Sequence, residues 1–496
     1  MVDRRSRRTL LREGAALTVA AAGGALLADG ATAAGRPSPA ALRELARRTR
    51  GPVVTPGSSR YAAARRIAQG AYAPRPAAVV QARDAADVAA TLRWGAERDV
   101  RVVPRSGGHG FAGWAGGDPA SVVVDLGRLR HVGIADGQAV VGPGAQLIDV
   151  YAGLARRGLT LPAGTCPSVG FGGLALGGGI GPAVRGLGLT SDRLRSARVA
   201  TATGELRTVD RRGDEELLWA LRGGGGGQFA VLLEARLEPA AVRRSAWFAI
   251  SWPWSAAEQA LAAWQALVPD ADPRLSSTFS LLRGTTPAVR AIGQWLGDDV
   301  GALRRAIAPL TRIGGARLSS GVAPHLTNQL RWAGCLGQPL AACHTAGTRP
   351  GGRMPRETWA GTSDYLARPL DAAGRRRLTA RLEARRGGSG AIILDALGGA
   401  VRDAADPGAF PHRAAIAQIQ HYAQPGSGGL AGARAWVRGN RRALRGRTTG
   451  GAYVNYPDPG LGGFRRAYYG ASLERLRAVR RRVDPDRRLR FPQDVG

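Results

Sequence analysis

Three glycine-rich stretches most constrain what this chain can fold into. They read RSGGHG at 105–110, PAGTCPSVGFGGLALGGGIG at 162–181 and RGGGGGQFAV at 222–231. Glycine adds no packing side chain and loses the most conformational freedom on folding, so such runs indicate backbone that approaches another group closely. Successive backbone N–H groups can surround a pyrophosphate without a cationic side chain. Because the first two stretches contain His109 and Cys166, the three together predict a large, flat, phosphorylated ligand.

The composition limits the class of protein. With 496 residues, of which 44% are hydrophobic and 22% charged, the chain is long enough for two or three domains and too apolar to be disordered. It has no lysine, so all 70 basic residues are arginine and account for the net charge of +33. This excludes a P-loop kinase and a pyridoxal-phosphate Schiff base. The arginines are spread along the chain without a nucleic-acid recognition motif, so we expect no nucleic-acid partner, and no metal site is predicted.

Residues 1–34 are predicted to be a twin-arginine export signal. The sequence SRRTLL at 6–11 precedes an uncharged stretch at 14–28 and an ATA pattern at 31–33 that is typical of signal cleavage. The uncharged stretch is too short to cross a membrane as a helix. The alternative is an arginine-rich disordered tail before an apolar helix. An export signal predicts an extracellular protein that has no membrane span after cleavage and that folds around a tightly held cofactor before export.

The three cysteines divide into a close pair and a single residue. Cys335 and Cys343 are near enough in sequence for a small disulfide loop, which an exported protein could keep oxidised. The sequence does not show whether the geometry allows that bond. Cys166 is then left over, either as a functional thiol or as a small buried apolar residue.

Hydrophobic periodicity divides the rest of the chain into three parts. Residues 35–240 alternate short strands with helices, and the first glycine stretch directly follows a strand. Residues 241–446 predict a second domain with an antiparallel sheet and arginine-rich amphipathic helices, whereas 447–496 predict only a short strand at AYVNYP and a helix near 465–483. Further predicted strands lie near 77–82, 100–103, 121–126 and 391–401, and predicted helices near 84–98 and 147–157.

The motifs, in this order, resemble those of the flavin-linked oxidases related to berberine bridge enzyme and glucooligosaccharide oxidase, in the vanillyl-alcohol oxidase fold group. RSGGHG is similar to that family's histidine loop, AGTCPSVGFGG and LGGGIG to its cysteine loop, and LLWALRGGGGGQFAV to its third flavin loop. AFPHR, YVNYPD, YYGASLERL and DPDRRLRFPQ resemble its carboxyl-terminal motifs. The resemblance covers nearly all of the chain after residue 34. It implies an α+β fold with a PCMH-type FAD-binding domain in two parts, 35–240 and 447–496, and a substrate domain at 241–446 with an antiparallel sheet flanked by helices.

The resemblance also implies a flavin cofactor bound through two covalent bonds. His109 would be bonded to the 8α-methyl carbon of FAD, and the sulfur of Cys166 to C6 of the ring. Two such bonds would retain the flavin and raise its reduction potential, which favours hydride abstraction from poor donors. The cofactor-binding residues implied in this way are Arg105, Ser106, Gly107, Gly108, His109, Gly110, Gly164, Cys166, Val169, Gly170, Gly172, Gly173, Gly177, Gly178, Gly179, Gly181, Gly227, Val231, Tyr453 and Asn455.

For catalysis, the family pattern assigns Tyr456 of YVNYPD as the general base. It would take the proton of a substrate hydroxyl while hydride moves to flavin N5. Because the ordinary pKa of tyrosine is about 10, we expect an arginine or the flavin to lower it. The alternative is that Tyr456 only packs a strand against the core. Tyr453 and Asn455 are expected to be structural or to contact the flavin, and His412 to be structural.

Two positions in the third loop depart from the family pattern. Gln228 stands where the family commonly has asparagine and Ala230 where it often has glycine, which weakens the expectation of close flavin contact there. Val169 stands where a small branched residue is associated with oxygen access in related enzymes, which favours an oxidase.

The function implied is that of an exported FAD-dependent oxidase acting on an alcohol. Its substrate would be a hydroxyl of a sugar or oligosaccharide, or a hydroxyl or amine of a secondary metabolite, and oxygen would be reduced to hydrogen peroxide. The alternatives are a dehydrogenase that uses another acceptor and a non-catalytic protein that binds anionic polymers. The intact histidine, cysteine and tyrosine argue against the second alternative. Three tryptophans of the second domain could stack on sugars or fill a core, and the core is favoured: Trp252, Trp254 and Trp332.

Overall fold

The computed structural model describes residues 35–496, so the predicted export signal lies outside the described residues. The strands are β1 (Val53–Val54), β2 (Ala78–Gln81), β3 (Arg101–Arg105), β4 (Ser121–Asp125), β5 (Val132–Ala135), β6 (Gln138–Val141), β7 (Leu159–Thr160), β8 (Leu194–Ala200), β9 (Leu206–Val209), β10 (Val231–Leu237), β11 (Ala240–Ala241), β12 (Arg244–Trp252), β13 (Leu275–Arg283), β14 (Pro287–Leu296), β15 (Arg317–Pro324), β16 (Ala360–Leu366), β17 (Gly390–Ala396) and β18 (Ala417–Ala423). The helices are α1 (Pro39–Arg48), α2 (Tyr61–Ala64), α3 (Ala85–Glu97), α4 (Leu147–Ala155), α5 (Phe171–Leu176), α6 (Val184–Leu187), α7 (Glu215–Leu221), α8 (Ala257–Leu267), α9 (Val300–Ala306), α10 (Ala308–Thr311), α11 (His325–Trp332), α12 (Ala372–Glu383), α13 (Gly429–Ala443), α14 (Phe464–Tyr469) and α15 (Leu473–Val483).

The first sheet places the histidine stretch at the end of a buried strand. Its order is β1-β2-β4-β3, in which β2 and β3 both run parallel to β4. The valine-rich sequences of β2 and β4 are buried almost throughout, as expected for parallel strands covered on both faces. Helix α3 begins where Asp84 accepts a 3.0 Å hydrogen bond from the Asp87 N–H, a typical N-cap. Strands β2, β3 and β4 and helix α3 were predicted to within two residues, and β1 was not predicted.

The second sheet packs against both the cysteine stretch and the carboxyl-terminal helices. Its order is β5-β6-β10-β8-β9, and all of its pairs are antiparallel. One hydrophobic core joins this sheet to α4, α5, α7, α14 and α15. The predicted strand at 452–457 is wrong, because the backbone turns there and the Tyr456 N–H donates to the Tyr453 carbonyl at 2.9 Å. The predicted helix near 465–483 is broken into α14 and α15 at Gly470, whose φ is +48°.

The third sheet confirms the predicted antiparallel sheet flanked by helices, and with it the α+β class. Its order is β15-β12-β14-β13-β17-β18-β16, and every pair is antiparallel. Helices α8, α9, α10, α12 and α13 cover one face in a shared core that contains Trp252, against which the half-buried Trp254 packs. The sheet also contacts the carboxyl-terminal segment, where Ser363 Oγ accepts a 2.8 Å hydrogen bond from the Tyr453 N–H. The domain boundaries stay a prediction.

A disulfide lies at the start of a segment that contacts residues 127–149. Cys335 and Cys343 are bonded to each other, a pairing that the sequence left open, and Cys166 is free. We name the following residues, 344–359, the strap. His344 Nε2 lies 2.9 Å from Asp149 Oδ1, and the Arg349 guanidinium donates to the carbonyls of Gly127 and Gly144, both at 3.2 Å. None of the helices within residues 35–496 is long and apolar enough to cross a membrane.

Candidate active site

The three glycine stretches, here called the histidine loop (105–110), the cysteine loop (162–181) and the third loop (222–231), meet in one cleft. Gly107 and Gly170 lie backbone to backbone, so a Cβ on either would collide with the other's main chain. The N–H groups of Gly223 and Gly225 both donate to the Leu176 carbonyl, at 3.1 and 2.9 Å. The sequence prediction that these loops act together therefore agrees with their positions.

His109 and Cys166 face the same serine hydroxyl. Ser168 Oγ lies 3.2 Å from His109 Nε2 and 3.8 Å from Cys166 Sγ. Desolvation lowers the pKa of His109 to about 4, so its imidazole is neutral and nucleophilic at neutral pH. Cys166 is exposed in the cleft, yet enough protein surrounds its thiol that desolvation raises its pKa, against the hydrogen bond to Ser168. The two side chains are thus presented together at the cleft surface.

The backbone around these nucleophiles leaves room for a flat group. Gly110 and Gly173 are exposed, and a Cβ on either would meet nothing within 4 Å. A Cβ on Gly226 would come no closer than 3.5 Å to Gly173. Side chains at Gly110, Gly173 and Gly226 would occupy this space. Because glycine has no side chain, the backbone forms a smooth surface in the loops that carry His109 and Cys166. The residues therefore fit FAD.

The other predicted glycines mainly allow the loops to pack on the protein itself. A Cβ would collide with Pro143 at Gly172, with Asn455 at Gly177, with Thr190 at Gly179 and with the Ala163 carbonyl at Gly181. Gly108, Gly178 and Gly227 have positive φ values of 67°, 127° and 79°, and Gly164 lies against Leu174.

The non-glycine loop residues mostly organise the backbone. Arg105 donates to Asp125 Oδ2 at 2.7 Å and to the Ala64 carbonyl at 2.6 Å, and its Nη1 has no partner within residues 35–496. Ser106 donates to the Pro143 carbonyl at 2.6 Å. Val231 packs inside a hydrophobic core, and Val169 is half-buried. Of these side chains, Arg105 retains a donor for an anionic ligand.

The carboxyl-terminal motif clamps the cysteine loop. Tyr453 Oη accepts hydrogen bonds from the Gly179 N–H at 2.7 Å and from Asn455 Nδ2 at 2.9 Å. Asn455 also donates to the Leu174 carbonyl at 3.0 Å. Burial raises the pKa of Tyr453 to about 12, which keeps it a neutral hydrogen-bonding group. Both residues therefore organise the cysteine loop, and their contact with the flavin stays a prediction.

Tyr456 lies at the boundary between the loops and the third sheet. Its ring is stacked on Phe111 at a centroid distance of 4.7 Å and meets Tyr453 edge-on at 5.0 Å. Burial, followed by the charge of Asp395, raises its pKa well above 10. This direction is opposite to the one expected, and the main causes are burial and the neighbouring groups Asp395, Tyr453 and Cys166. The protein therefore does not by itself lower the pKa of Tyr456. A role as general base requires the flavin, the other expected cause, to lower it.

Sequence reasoning missed a carboxylate beside Tyr456. Asp395, on β17, accepts a 2.7 Å hydrogen bond from the Thr278 hydroxyl, and burial raises its pKa to about 6. It lines a small cavity together with Thr165, Thr278 and Trp332. The available signal was a single acid within the apolar run AIILDALGG. Of the three tryptophans, Trp332 is the one that reaches this cavity.

An aromatic wall that begins at Phe111, next to Tyr456, was also missed. Phe111 meets Trp359 edge-on at 5.7 Å, and Trp359 lies over Tyr422 at 6.3 Å. The Tyr422 hydroxyl donates to Glu357 Oε2 at 3.0 Å. These residues come from a loop, the strap and β18, so no local pattern unites them.

The departures from the family pattern have structural explanations. Gln228 is fully buried, donates to the Gly224 carbonyl at 2.6 Å and accepts from the Val495 N–H at 3.0 Å. It therefore ties the third loop to the carboxyl terminus, and Ala230 is buried beside it. His412 lies 3.0 Å from the Ala452 carbonyl, and burial lowers its pKa to about 4, in keeping with the expected structural role. No three metal-ligating side chains are grouped anywhere in residues 35–496.

Two family models match the chain. One, described as an FAD binding domain, matches residues 76–210, and the other, described as berberine and berberine like, matches residues 452–496. An uncharacterized FAD-linked oxidoreductase of Bacillus subtilis, YgaK, is 30% identical over 428 residues, which cover 85% of this chain and 91% of that protein.

Solved structures show the same fold. Xylooligosaccharide oxidase from Myceliophthora thermophila C1, solved with xylobiose, has a TM-score of 0.82 at 26% identity, covering 92% of this chain and 99% of that one. Glucooligosaccharide oxidase from Acremonium strictum, which carries a 6-S-cysteinyl, 8α-N1-histidyl FAD, has a TM-score of 0.80 at 23% identity, covering 92% of this chain and 98% of that one.

Proposed function

Since this chain belongs to the berberine-like family of FAD-linked oxidoreductases, we propose that it oxidises a hydroxyl group of an oligosaccharide and passes the electrons to dioxygen. The observation that carries the proposal is that Tyr456 lies near enough to both Asp395 and Cys166 for their charges to act on it, while Cys166 and His109 share the Ser168 hydroxyl. A proton acceptor and a cofactor anchor are then available in one site.

His109 and Cys166 would hold FAD through two covalent bonds. Glycine-lined backbone next to both side chains supports this assignment, as does the doubly linked flavin of the Acremonium oxidase. When bound, FAD supplies the two-electron acceptor that takes hydride from the substrate carbon. Arg105, with a spare buried donor, would help to bind the anionic part of the cofactor.

Tyr456 would receive the proton of the substrate hydroxyl. Asp395 is close enough for its charge to act on Tyr456, and with a pKa of about 6 it is ionised at neutral pH. The ionised carboxylate raises the basicity of Tyr456, because its negative charge stabilises a proton on the Tyr456 oxygen. The reaction is therefore expected to accelerate as the pH rises through 6.

The shape and chemistry of the cleft support a sugar substrate. The third sheet presents the hydroxyl of Thr278 and the carboxylate of Asp395, which can bond sugar hydroxyls. The aromatic wall of Phe111, Trp359 and Tyr422 offers apolar faces on which a pyranose ring can stack. Related enzymes with this fold are named for xylo- and glucooligosaccharides, which favours an oligosaccharide over a secondary metabolite.

The acceptor and the location are further parts of the proposal. Dioxygen, giving hydrogen peroxide, is favoured by the related oxidases, whereas a dehydrogenase would need another acceptor. The SRRTLL motif and the uncharged stretch that follows it favour export.

One experiment tests cofactor and reaction together. The purified protein is denatured and separated on a gel, and flavin fluorescence is measured for the wild type, His109→Ala, Cys166→Ala and the double variant. Flavin retained by the wild type and lost only from the double variant supports two bonds. The native wild type is then assayed for peroxide with xylo-, gluco- and chitooligosaccharides. Reduction of the flavin without peroxide would favour a dehydrogenase, and no reduction by any sugar would contradict the substrate class.

A further inference from the structure

We propose that Ser168 is the positioning residue for covalent attachment of FAD: its hydroxyl orients His109 and Cys166 toward one edge of the flavin and relays a proton between them. The proposal rests on the proposed function, because it assumes that both side chains become bonded to FAD. It assigns a role to a residue that touches both nucleophiles but is itself not bonded to the cofactor.

The geometry gives one hydroxyl two neighbours of different chemistry. Ser168 Oγ lies 3.2 Å from His109 Nε2 and 3.8 Å from Cys166 Sγ. A hydroxyl has one donor hydrogen and can also accept, whereas a thiol is a weak donor. Ser168 can therefore accept from the thiol while it donates to the imidazole. This arrangement forms a continuous path from sulfur through oxygen to nitrogen.

The loop holds that hydroxyl in place. Ser168 is 3% exposed, so its side chain has little freedom to turn toward solvent. The flanking carbonyls of Pro167 and Val169 accept hydrogen bonds from the N–H groups of Ile148 and Leu147, both at 3.0 Å. Leu147 and Ile148 are the first two residues of helix α4. The start of this helix therefore fixes the backbone on both sides of Ser168.

The two nucleophiles need help to different degrees. His109 is neutral at neutral pH because burial depresses its pKa, so it is ready to attack. Burial raises the pKa of the Cys166 thiol, which disfavours the reactive thiolate, while the contact with Ser168 acts in the opposite direction. Loss of the Ser168 hydroxyl should therefore slow the cysteine bond more than the histidine bond.

The chemistry balances without consuming Ser168. Each attachment removes one hydrogen from the protein nucleophile and one from a flavin carbon, and two electrons pass through the flavin to dioxygen, giving hydrogen peroxide. The proton of the thiol passes through Ser168 and the imidazole to solvent, because the depressed pKa of His109 does not allow it to keep the proton. Ser168 ends each cycle as the same hydroxyl.

The test follows bond formation rather than turnover. Apoprotein of the wild type, Ser168→Ala, Ser168→Thr and Ser168→Val is mixed with FAD in air. Intact-protein mass and peptide mapping then give the rate of each bond, and flavin released by denaturation gives the non-covalently bound fraction. Threonine and valine have the same shape and differ only in the hydroxyl. Ser121→Ala, which removes a fully buried serine hydroxyl that contacts neither nucleophile, controls for general destabilisation.

We expect Ser168→Ala and Ser168→Val to bind FAD but to form the cysteine bond at least tenfold more slowly than the wild type. Ser168→Thr and Ser121→Ala should keep near-normal rates. The cysteine bond of Ser168→Ala should recover as the pH is raised toward 9 to 10, because hydroxide then replaces the relay, and a purely structural defect would not recover. Wild-type rates in both hydroxyl-free variants would overturn the role of Ser168 alone. A wild type without covalent flavin would overturn the attachment itself.

Discussion

At the scale of single residues, Tyr456 and Asp395 have opposite protonation states at neutral pH. Burial raises the pKa of both, so Asp395, at about 6, is mostly ionised, whereas Tyr456 is protonated until the proposed flavin lowers its pKa. The protein thus holds one negative charge close to the proposed base.

Tyr456→Phe removes the proposed base while leaving its ring packing against Phe111 intact. We expect kcat/KM to fall about a hundred- to ten-thousand-fold, the range of general-base contributions. Steady-state kinetics and the flavin content of the denatured protein should be measured together. A variant with full flavin and unchanged kcat/KM would show that Tyr456 only packs the core.

Asp395→Asn should change both stability and activity with pH. In the folded protein its pKa is about 6, above the ordinary value of about 3.9, so ionisation costs the folded state free energy as the pH rises between these values. Asparagine removes this cost, so the variant should be more stable than the wild type by about 2 to 3 kcal/mol above pH 6 and equally stable below pH 4.

The same variant should lose the rise in kcat through pH 6. Denaturant titrations at pH 4 and pH 7.5 and a pH–rate profile check both statements. An unchanged inflection near pH 6 would assign that titration to another group.

The site residues that could be predicted from the sequence lie within contiguous motifs, whereas those that were missed lie in segments far apart in the chain. His109 and Cys166 stand inside contiguous glycine motifs, so the chemistry and the backbone that presents it appear in one window. Asp395 and Trp359 reach the cleft only because β17 and the strap are brought there by tertiary packing. Their significance depends on contacts between distant segments, which a single sequence does not display.

At the scale of elements, the third loop depends on a residue that binds backbone rather than cofactor. Gln228 is hydrogen-bonded to the main chain of Gly224 and of Val495. A glycine-rich loop has few side chains with which to fix its own shape, so these bonds supply the restraint.

Gln228→Leu leaves a buried carbonyl and a buried N–H without partners. We expect it to lower the free energy of unfolding by about 2 to 4 kcal/mol, because each unsatisfied buried group costs about 1 to 3 kcal/mol. Gln259→Leu, at an exposed position on α8, makes the same chemical change and should have little effect. Urea titrations of both variants check this, and equal stabilities would contradict the role of Gln228.

Removing the disulfide should loosen the start of the strap. The double variant Cys335→Ser, Cys343→Ser opens a short covalent loop, whose closure is worth about 2 to 3 kcal/mol in the chain-entropy model. Thermal unfolding of the oxidised wild type, the reduced wild type and the double variant provides the comparison. If reduction lowers the stability of the wild type but the double variant matches the oxidised form, the disulfide does not account for the difference.

Local elements were easier to predict than their ends and partners. The valine-rich β2 and β4 and the capped helix α3 follow from periodicity, because burial and capping act within a few residues. The motif AYVNYP has the composition of a strand but forms a turn, because Ser363 takes the Tyr453 N–H and Asn455 bonds across to Leu174. The order of the seven-stranded sheet depends on pairings between distant strands and could not be predicted.

At the scale of the whole molecule, part of the arginine charge is structural. Arg185 is 1% exposed and donates to the Ala271 carbonyl at 2.6 Å, and Arg385 donates to the Gln424 carbonyl at 2.7 Å. Such side chains hydrogen-bond to the backbone of distant segments and are not available to an anionic polymer. This weighs against the reading of the +33 charge as a binding surface.

Export should depend on the paired arginines of the predicted signal. The double variant Arg7→Lys, Arg8→Lys keeps the charge but changes the motif, so we expect flavin-loaded protein to stay inside the cell. Immunoblots and flavin fluorescence of cell and medium fractions, with Arg4→Lys, Arg5→Lys as the control, measure this. Undiminished export of the first variant would exclude the twin-arginine route.

The bond between Gln228 and Val495 joins residues 267 positions apart, and Tyr453 similarly reaches back to Gly179. A ribosome therefore finishes the histidine and cysteine loops long before it makes the residues that hold them. We therefore expect the proposed attachment of flavin to follow completion of the chain, because the last residues fix the cysteine loop and the third loop. Under the proposed attachment, a molecule that carries covalent flavin would already have brought Gly179 and Gln228 together with Tyr453 and Val495.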